Sequence, residues 1–290
     1  MTQTLKHKKV GLALGGGGAK GLVHIGIIKA LENAGISIDY IAGTSMGALV
    51  GGVYAATKDI TTLESMVSEI KRDDVFPLLE LLKRKDGSFF RGQTLTERLR
   101  KQLGDIKVQD CLIPFTAIAT DEGSGEETRI NKGDLVDAIR ASIALPIIFA
   151  PVEFEGKMLV DGGLSNPVPA NVVKEIGADY IIAVDVSSRQ LIPNDSVKEI
   201  KDFYSILDRT ISVIEYQLAK KNLLKNSDIV LRPPVFSYDW LNFSKAPELI
   251  KIGEEEVELS LRKIRQGTGY KKPDQTFAEK FIDFILNKPS

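Results

Sequence analysis

An α/β protein built on a mainly parallel sheet is predicted by three observations along the chain. Val10–Leu14 is a short apolar run that feeds a glycine-rich stretch and then a helical pattern, Gly21–Asn33. Ile38–Ala42 repeats that order, passing through Gly43-Thr44-Ser45-Met46-Gly47 into the small-residue helix Met46–Thr57. A third run, Tyr180–Val186, is the most β-rich in the chain and follows a helical stretch at Pro169–Ile176. Strands alternating with helices pack as a parallel sheet with helices on its faces.

The other elements fit around this frame. Ile60–Arg72 and Thr94–Leu103 have helical spacing; between them Phe76–Phe90 mixes apolar residues with Lys83-Arg84-Lys85-Asp86-Gly87 and reads as an excursion from the core. Pro114–Thr120 is a strand, and Glu127–Asn131 is placed to pair with it across the Asp121–Glu126 turn. The longest apolar segment, Ala141 to Val152, is interrupted by Pro146 and Pro151. Lys157–Val160 is a strand running into Asp161-Gly162-Gly163. Beyond it, Val197–Lys225 is helical, Ser227–Leu231 is a final strand closed by Pro233-Pro234, and Ala246–Arg265 and Phe277–Asn287 are helical. A seam near Ser188–Asp195 divides a core, residues 8–188, from a mostly helical extension, residues 189–290, packed on it and contributing one late strand near 228–231.

Composition bounds the function. The 290 residues are 43% hydrophobic and 27% charged, ordinary values for a globular chain with a sizeable core. A net charge of −1 gives no general electrostatic reason to expect nucleic acid. The single cysteine, Cys111, rules out an internal disulfide and fits a reducing compartment; flanked by Asp110 and Leu112, it reads as buried filler. No stretch approaches the roughly 18 apolar residues of a spanning helix, and Val10–Leu14 is too short for a secretory signal. These features favour a cytoplasmic protein able to touch a membrane from one side. Phe76, Leu78, Leu79, Leu81, Leu82, Phe89 and Phe90, around their basic cluster, are the candidate contact.

Ser45 is the candidate nucleophile. A strand that ends in G-x-S-x-G and passes straight into a helix holds its serine on a sharp turn, with Gly43 and Gly47 beside it because a Cβ would collide with the adjacent strand and helix. A hydroxyl needs a base to take its proton. The usual histidine is nearly excluded by count: His7 lies in a charged terminus, and His24 lies on the helix after the glycine run, ahead of the serine. Asp161 is the better base, because it closes a strand and two glycines let the backbone turn away and leave its carboxylate at the sheet end. An aspartate near pKa ~3.9 is a weak base, so the site requires burial to raise it.

Acyl transfer also needs donors for the negative charge that develops on the carbonyl oxygen. Gly16, Gly17, Gly18 and Ala19, between the first strand and its helix, supply backbone N–H groups without obstructing side chains. The same run satisfies the G-x-G-x-x-G pattern of a dinucleotide site, but that reading wants an acidic residue at the end of the second strand, where Gly43-Thr44-Ser45 stands instead. A Walker loop fails as well, since Gly21 is not followed by Lys and Ser or Thr.

These elements, in this order, resemble the patatin-like phospholipase family. Gly16-Gly17-Gly18-Ala19-Lys20-Gly21 is similar to its oxyanion motif, with Lys20 where the family carries Arg or Lys. Gly43-Thr44-Ser45-Met46-Gly47 resembles its nucleophile motif, Asp161-Gly162-Gly163 its aspartate motif, and Ala141-Ser142-Ile143-Ala144-Leu145-Pro146 a further block. The resemblance spans roughly Lys9 to Ile176. It implies a three-layer α/β/α fold, a Ser-Asp dyad without histidine, hydrolysis of acyl esters on lipid substrates, and neither cofactor nor metal. Such an enzyme needs an apolar trough, for which Met46, Ile143, Leu145, Pro146 and the Phe76–Phe90 segment are the candidates. Two alternatives remain open from sequence: a lipid- or protein-binding regulator with little turnover, and an acyltransferase that shares the acyl-enzyme. Oligomeric state is not legible.

Overall fold

The computed structural model describes residues 7–69, 93–146, 148–187, 203–241 and 243–271. The expected Phe76–Phe90 excursion with its candidate membrane contact, the helix at Phe277–Asn287, the start of the helix expected from Val197 and the Ser188–Asp195 seam lie outside the described residues.

The first half of the chain builds alternating strands and helices. Strand β1 (Val10–Leu14) is followed by a 3-10 turn at Gly18–Leu22 and helix α1 (Val23–Asn33). Strand β2 (Tyr40–Thr44), helix α2 (Met46–Thr57), helix α3 (Ile60–Glu69) and helix α4 (Gln93–Leu103) come next. Strand β2 begins and ends two residues later than Ile38–Ala42, because its parallel pairing with β3 (Phe115–Asp121) runs from Ile41↔Phe115 to Thr44↔Ile118. After β3 come β4 (Glu127–Ile130), helix α5 (Leu135–Ser142), β5 (Val152–Phe154) and β6 (Lys157–Asp161). Helix α6 (Ala170–Glu175), β7 (Tyr180–Val184), the long helix α7 (Phe203–Asn226), β8 (Ile229–Leu231) and helix α8 (Ala246–Thr268) complete the described chain.

Two of these elements are absent from the sequence reading. Helix α5 is short, but it carries a recognisable start: the Asp134 carboxylate accepts the Asp137 N–H at 3.0 Å, an N-cap that satisfies an otherwise orphaned donor. Strand β5 has only three residues and starts just after Pro151, at the last residue of the apolar segment.

The eight strands form one mixed sheet, with four pairings parallel and three antiparallel. Its parallel centre runs β3-β2-β1-β7-β8. Helices cover both faces. Val10, Leu12 and Leu14 of β1 point into the larger core with α1, α2 and α8, while Ala13 points into a smaller core with α6 and the Ala219–Leu223 side of α7. That second face is lined by small residues, Ala13, Ala42 and Ala183, which lets its helices approach closely. A Cβ on Gly11 would stand 2.0 Å from Val173 Cγ1 of α6.

The C-terminal helix is locked to the core by backbone contact. A Cβ on Gly26 of α1 would lie 1.8 Å from the Ile250 carbonyl oxygen, and one on Gly253 of α8 would lie 2.1 Å from that of Val23. Helices α1 and α8 therefore cross with nothing between their backbones.

One detail of the sheet places the site. The overlapping registers of β4 (residues 117–120) and β6 (119–121) put those strands on opposite edges of β3, so β2 (115–118) and β6 share one edge. Strand β2 runs parallel to β3 and β6 antiparallel. Their carboxyl ends consequently meet head-on, Thr44 opposite Ile118 and Asp161 opposite Ala119.

Candidate active site

Ser45 is the first residue beyond β2 and the N-cap of α2, with φ 54° and ψ −120°. A non-glycine residue rarely holds such a conformation, and it persists only where the surroundings enforce it. They do so here. A Cβ on Gly43 would stand 2.3 Å from the Gly47 oxygen, and one on Gly47 would stand 2.2 Å from the Leu14 oxygen of β1. The Ser45 N–H donates to Ser142 Oγ at 2.9 Å, and the Ser142 hydroxyl donates in turn to the Ile118 carbonyl. Thr44 is tied by its hydroxyl to the Asn166 carbonyl at 2.7 Å.

The meeting of the two strand ends brings together residues 116 apart in sequence. Ser45 Oγ donates to Asp161 Oδ2 at 2.7 Å. The other carboxylate oxygen accepts the Gly163 N–H at 2.8 Å, and the Asp161 N–H donates to the Ala144 carbonyl at 3.0 Å. Gly162 is needed beside it, since a Cβ there would lie 2.2 Å from the Ile118 oxygen. Asp161 is only 3% exposed. Burial pushes its carboxyl up to about 6, with the Gly163 N–H and the Ser45 hydroxyl pulling the other way.

The glycine turn lines the cavity beside Ser45 and Asp161. Two of its four candidate donors are spent: the Gly16 N–H goes to the Pro167 carbonyl at 3.1 Å, and the Ala19 N–H to the Trp240 carbonyl at 2.7 Å. Gly17, at φ 134°, and Gly18, at φ 56°, have no backbone partner for their N–H groups among the described residues. Both line the cavity at Ser45. Lys20 is buried, and a Cβ on Gly21 would lie 2.6 Å from Met46 Cγ.

Neither histidine reaches the serine. His24 is fully buried behind the turn, where Nε2–H donates to the Gly15 carbonyl at 2.8 Å; burial holds its imidazole down at about 4. His7 stacks on Tyr270, with ring centroids 4.2 Å apart. The Cys111 thiol is half-buried and pushed up to about 11 by that burial. Among the described residues no three His, Cys, Asp or Glu side chains converge as a metal site requires.

Ser45 and Asp161 open into an apolar cavity. Met46, Ile143 and Leu145 line it, as expected, together with Leu22, Leu49, Leu95 and Phe149. Pro146 does not; Phe149, whose N–H returns with that of Ile148 to the Leu145 carbonyl, reaches the wall instead. The far wall comes from the C-terminal residues: Ile211, Ser212 and Glu215 of α7, with Trp240 and Phe243. Sequence alone left these residues unassigned. A part-buried amide cluster ties α7 to the site. Asn222 Nδ2 donates to Asn166 Oδ1 at 2.9 Å, to Asn171 Oδ1 at 2.7 Å and to the Val168 carbonyl at 3.0 Å. It thereby holds the 166–168 loop, whose carbonyls secure Thr44 and Gly16.

No described helix is long and apolar enough to cross a membrane. The family model "Patatin-like phospholipase" matches residues 12–174, more than half of the chain. A lysophospholipase nte1 of Aspergillus fumigatus is 29% identical over 308 aligned residues, covering 99% of this chain and 20% of its own length. An uncharacterised NTE family protein of Mycobacterium tuberculosis is 38% identical over 185 residues, covering 64% of this chain and 51% of its own. The chain thus spans about a fifth of the fungal relative and half of the mycobacterial one. Among solved structures, VipD from Legionella pneumophila superposes with a TM-score of 0.50 at 14% identity, over 89% of this chain and 67% of its own; that likeness concerns the fold. The chain belongs to the patatin-like phospholipase family.

Proposed function

We propose that this member of the family is a serine hydrolase of lipid acyl esters, working through Ser45 and Asp161. The observation that carries the reading is the 2.7 Å hydrogen bond from Ser45 Oγ to a buried carboxylate at the wall of an apolar cavity. Ser45 Oγ attacks the ester carbonyl as Asp161 Oδ2 takes its proton. The carbonyl oxygen, now negative, is met by the N–H groups of Gly17 and Gly18. Asp161 returns the proton to the leaving alcohol oxygen, which departs and leaves an acyl-serine. Water, losing its proton to Asp161, attacks that ester, and Asp161 returns the proton to Ser45 Oγ as the acid is released.

Burial supports the assignment of the base. A carboxyl at about 6 is mostly ionised at neutral pH, yet it holds a proton better than an exposed aspartate. Met46, Leu49, Ile143, Leu145 and Phe149 supply the apolar wall for an acyl chain. Residues 8–188 hold the dyad and the glycine turn, and residues 189–290 complete the cavity. With its single cysteine the chain fits the cytoplasm, taking lipid from one membrane face.

Intact-mass analysis after fluorophosphonate treatment of wild type, Ser45→Ala and Asp161→Asn tests this. Stoichiometric labelling of wild type is expected, with none in Ser45→Ala and strongly slowed labelling in Asp161→Asn. A folded wild type that takes no label would replace the hydrolase reading with that of a lipid-binding regulator. Product analysis with added lysolipid or glycerol separates hydrolysis from acyl transfer.

A further inference from the structure

Asn166 and Pro167 touch the neighbour of every group that the proposed reaction uses. The Asn166 N–H donates to the carbonyl of Gly162, the residue after Asp161, at 2.9 Å. The Asn166 carbonyl accepts the hydroxyl of Thr44, the residue before Ser45, at 2.7 Å. The Pro167 carbonyl accepts the N–H of Gly16, the residue before Gly17, at 3.1 Å. Serine, aspartate and glycine turn come from three separate stretches of chain, and this one pair of residues spaces them.

The pair belongs to a connection between the Gly162–Leu164 turn and helix α6, where no strand ladder fixes the backbone. Side chains do so instead. Asn166 is 5% exposed and its amide is fully engaged: Nδ2 donates to Glu127 Oε2 at 2.7 Å and to Asn171 Oδ1 at 2.9 Å, while Oδ1 accepts from Asn222 Nδ2. Through its further bonds to Asn171 Oδ1 and the Val168 carbonyl, Asn222 grips the connection on both sides of Pro167. Asn226 Nδ2 donates to Asn222 Oδ1 at 2.8 Å, which turns the Asn222 N–H2 towards the loop. Asn222 itself does not line the cavity; it lies about three turns along α7 from Ile211, which does.

We propose that Asn222 is a positioning residue for the acyl transfer, acting through residues 166–168 to hold Ser45, Asp161 and the Gly17–Gly18 turn at their working separation. The inference rests on the hydrolase reading above. It makes the helical extension part of what sets the reaction geometry, beyond its share in the cavity wall. The task needs a neutral N–H2, since a carboxylate of the same shape would set its lone pairs against Asn166 Oδ1, Asn171 Oδ1 and the Val168 carbonyl. Reacting groups displaced by about 1 Å can lose roughly 10²-fold in rate.

The test is steady-state kinetics on a p-nitrophenyl acyl ester, with rates expressed per serine titrated to completion by a fluorophosphonate. Asn222→Asp and Asn222→Leu are expected to lower kcat by about 10- to 100-fold and to leave KM within about twofold, because the cavity wall is untouched. Asn222→Gln, which keeps the N–H2, should retain more of kcat than Asn222→Leu, and it carries the test if the other two do not fold. A purely structural role would give fewer titratable serines at normal kcat per serine, and that result overturns the inference. So does a loss carried by KM. Thr44→Val removes the hydroxyl bond to the Asn166 carbonyl, so it acts through the same loop. The double variant Thr44→Val/Asn222→Leu should therefore lose less than the product of the two single losses, and a full product overturns the inference. A labelled, active wild type matched by its Asn222 variants refutes this inference alone; a folded wild type that takes no label refutes the hydrolase reading with it.

Discussion

His24 and Asp161 are both buried, and burial acts on both by favouring the neutral form. It holds the imidazole down at about 4 and lifts the carboxyl to about 6. His24 is thereby neutral at physiological pH, with Nε2–H spent on the Gly15 carbonyl. Asp161 is brought into the range where histidine ordinarily titrates, with Oδ2 on the Ser45 hydroxyl. Burial shifts both groups, and contact decides which can act as the base. On the reading proposed above, desolvation gives the aspartate a proton affinity comparable to that of an ordinary histidine.

Replacing Asp161 is the strongest way to break the comparison. Asp161→Asn is expected to lose about 10³-fold or more in kcat. It should also gain stability. Between the ordinary carboxylate value and about 6 the folded state binds more protons than the unfolded, so stability falls as pH rises through that window. Above it the ionised carboxylate costs on the order of 3 kcal/mol, which the amide does not incur. Kinetics and thermal unfolding at pH 7 check both halves; an active Asp161→Asn removes Asp161 as the base.

A smaller loss is expected from the glycine turn. A Cβ on Gly18 would stand 2.5 Å from the Trp240 oxygen, and its φ of 56° disfavours any side chain. Gly18→Ala should displace one donor and lower kcat by about 10²-fold. Unchanged kcat would shift the oxyanion role away from this turn.

The smallest effect belongs to His24. In wild type kcat/KM should rise with pH through about 6 as Asp161 ionises, then level off. His24→Gln, still able to donate to Gly15, should lower activity only a few-fold and keep that midpoint. For stability the sign is opposite to that of Asp161: the lowered imidazole favours folding above its ordinary value, and this contribution is lost as pH falls from about 6.5 towards 4. A pH–rate midpoint that moves in His24→Gln would assign the titration to the histidine.

Ser45, Asp161 and the glycine turn were legible because sharp backbone turns leave a local signature. Gly43, Gly47 and Gly162 each stand where a Cβ would strike a carbonyl oxygen, and such constraints write themselves into neighbouring residues. Ser142 was visible only as part of a recurring block; its role as acceptor for the Ser45 N–H depends on how α5 meets β2. Glu215 and Asn222 left no signal, since a Glu or Asn on a long helix reads as an ordinary polar position until the helix is docked.

The sequence by itself determined the alternation of strands and helices, the serine on its turn and the aspartate at a strand end, because each depends on residues within one turn of the chain. The tertiary structure decided that β2 and β6 meet head-on along one edge of β3, which joins residues 116 apart into a pair. It also decided which glycine-turn N–H groups are taken, since the Pro167 and Trp240 carbonyls accept those of Gly16 and Ala19. Hydrogen-bond partners and burial come from distant segments, and no local pattern encodes which carbonyl will arrive.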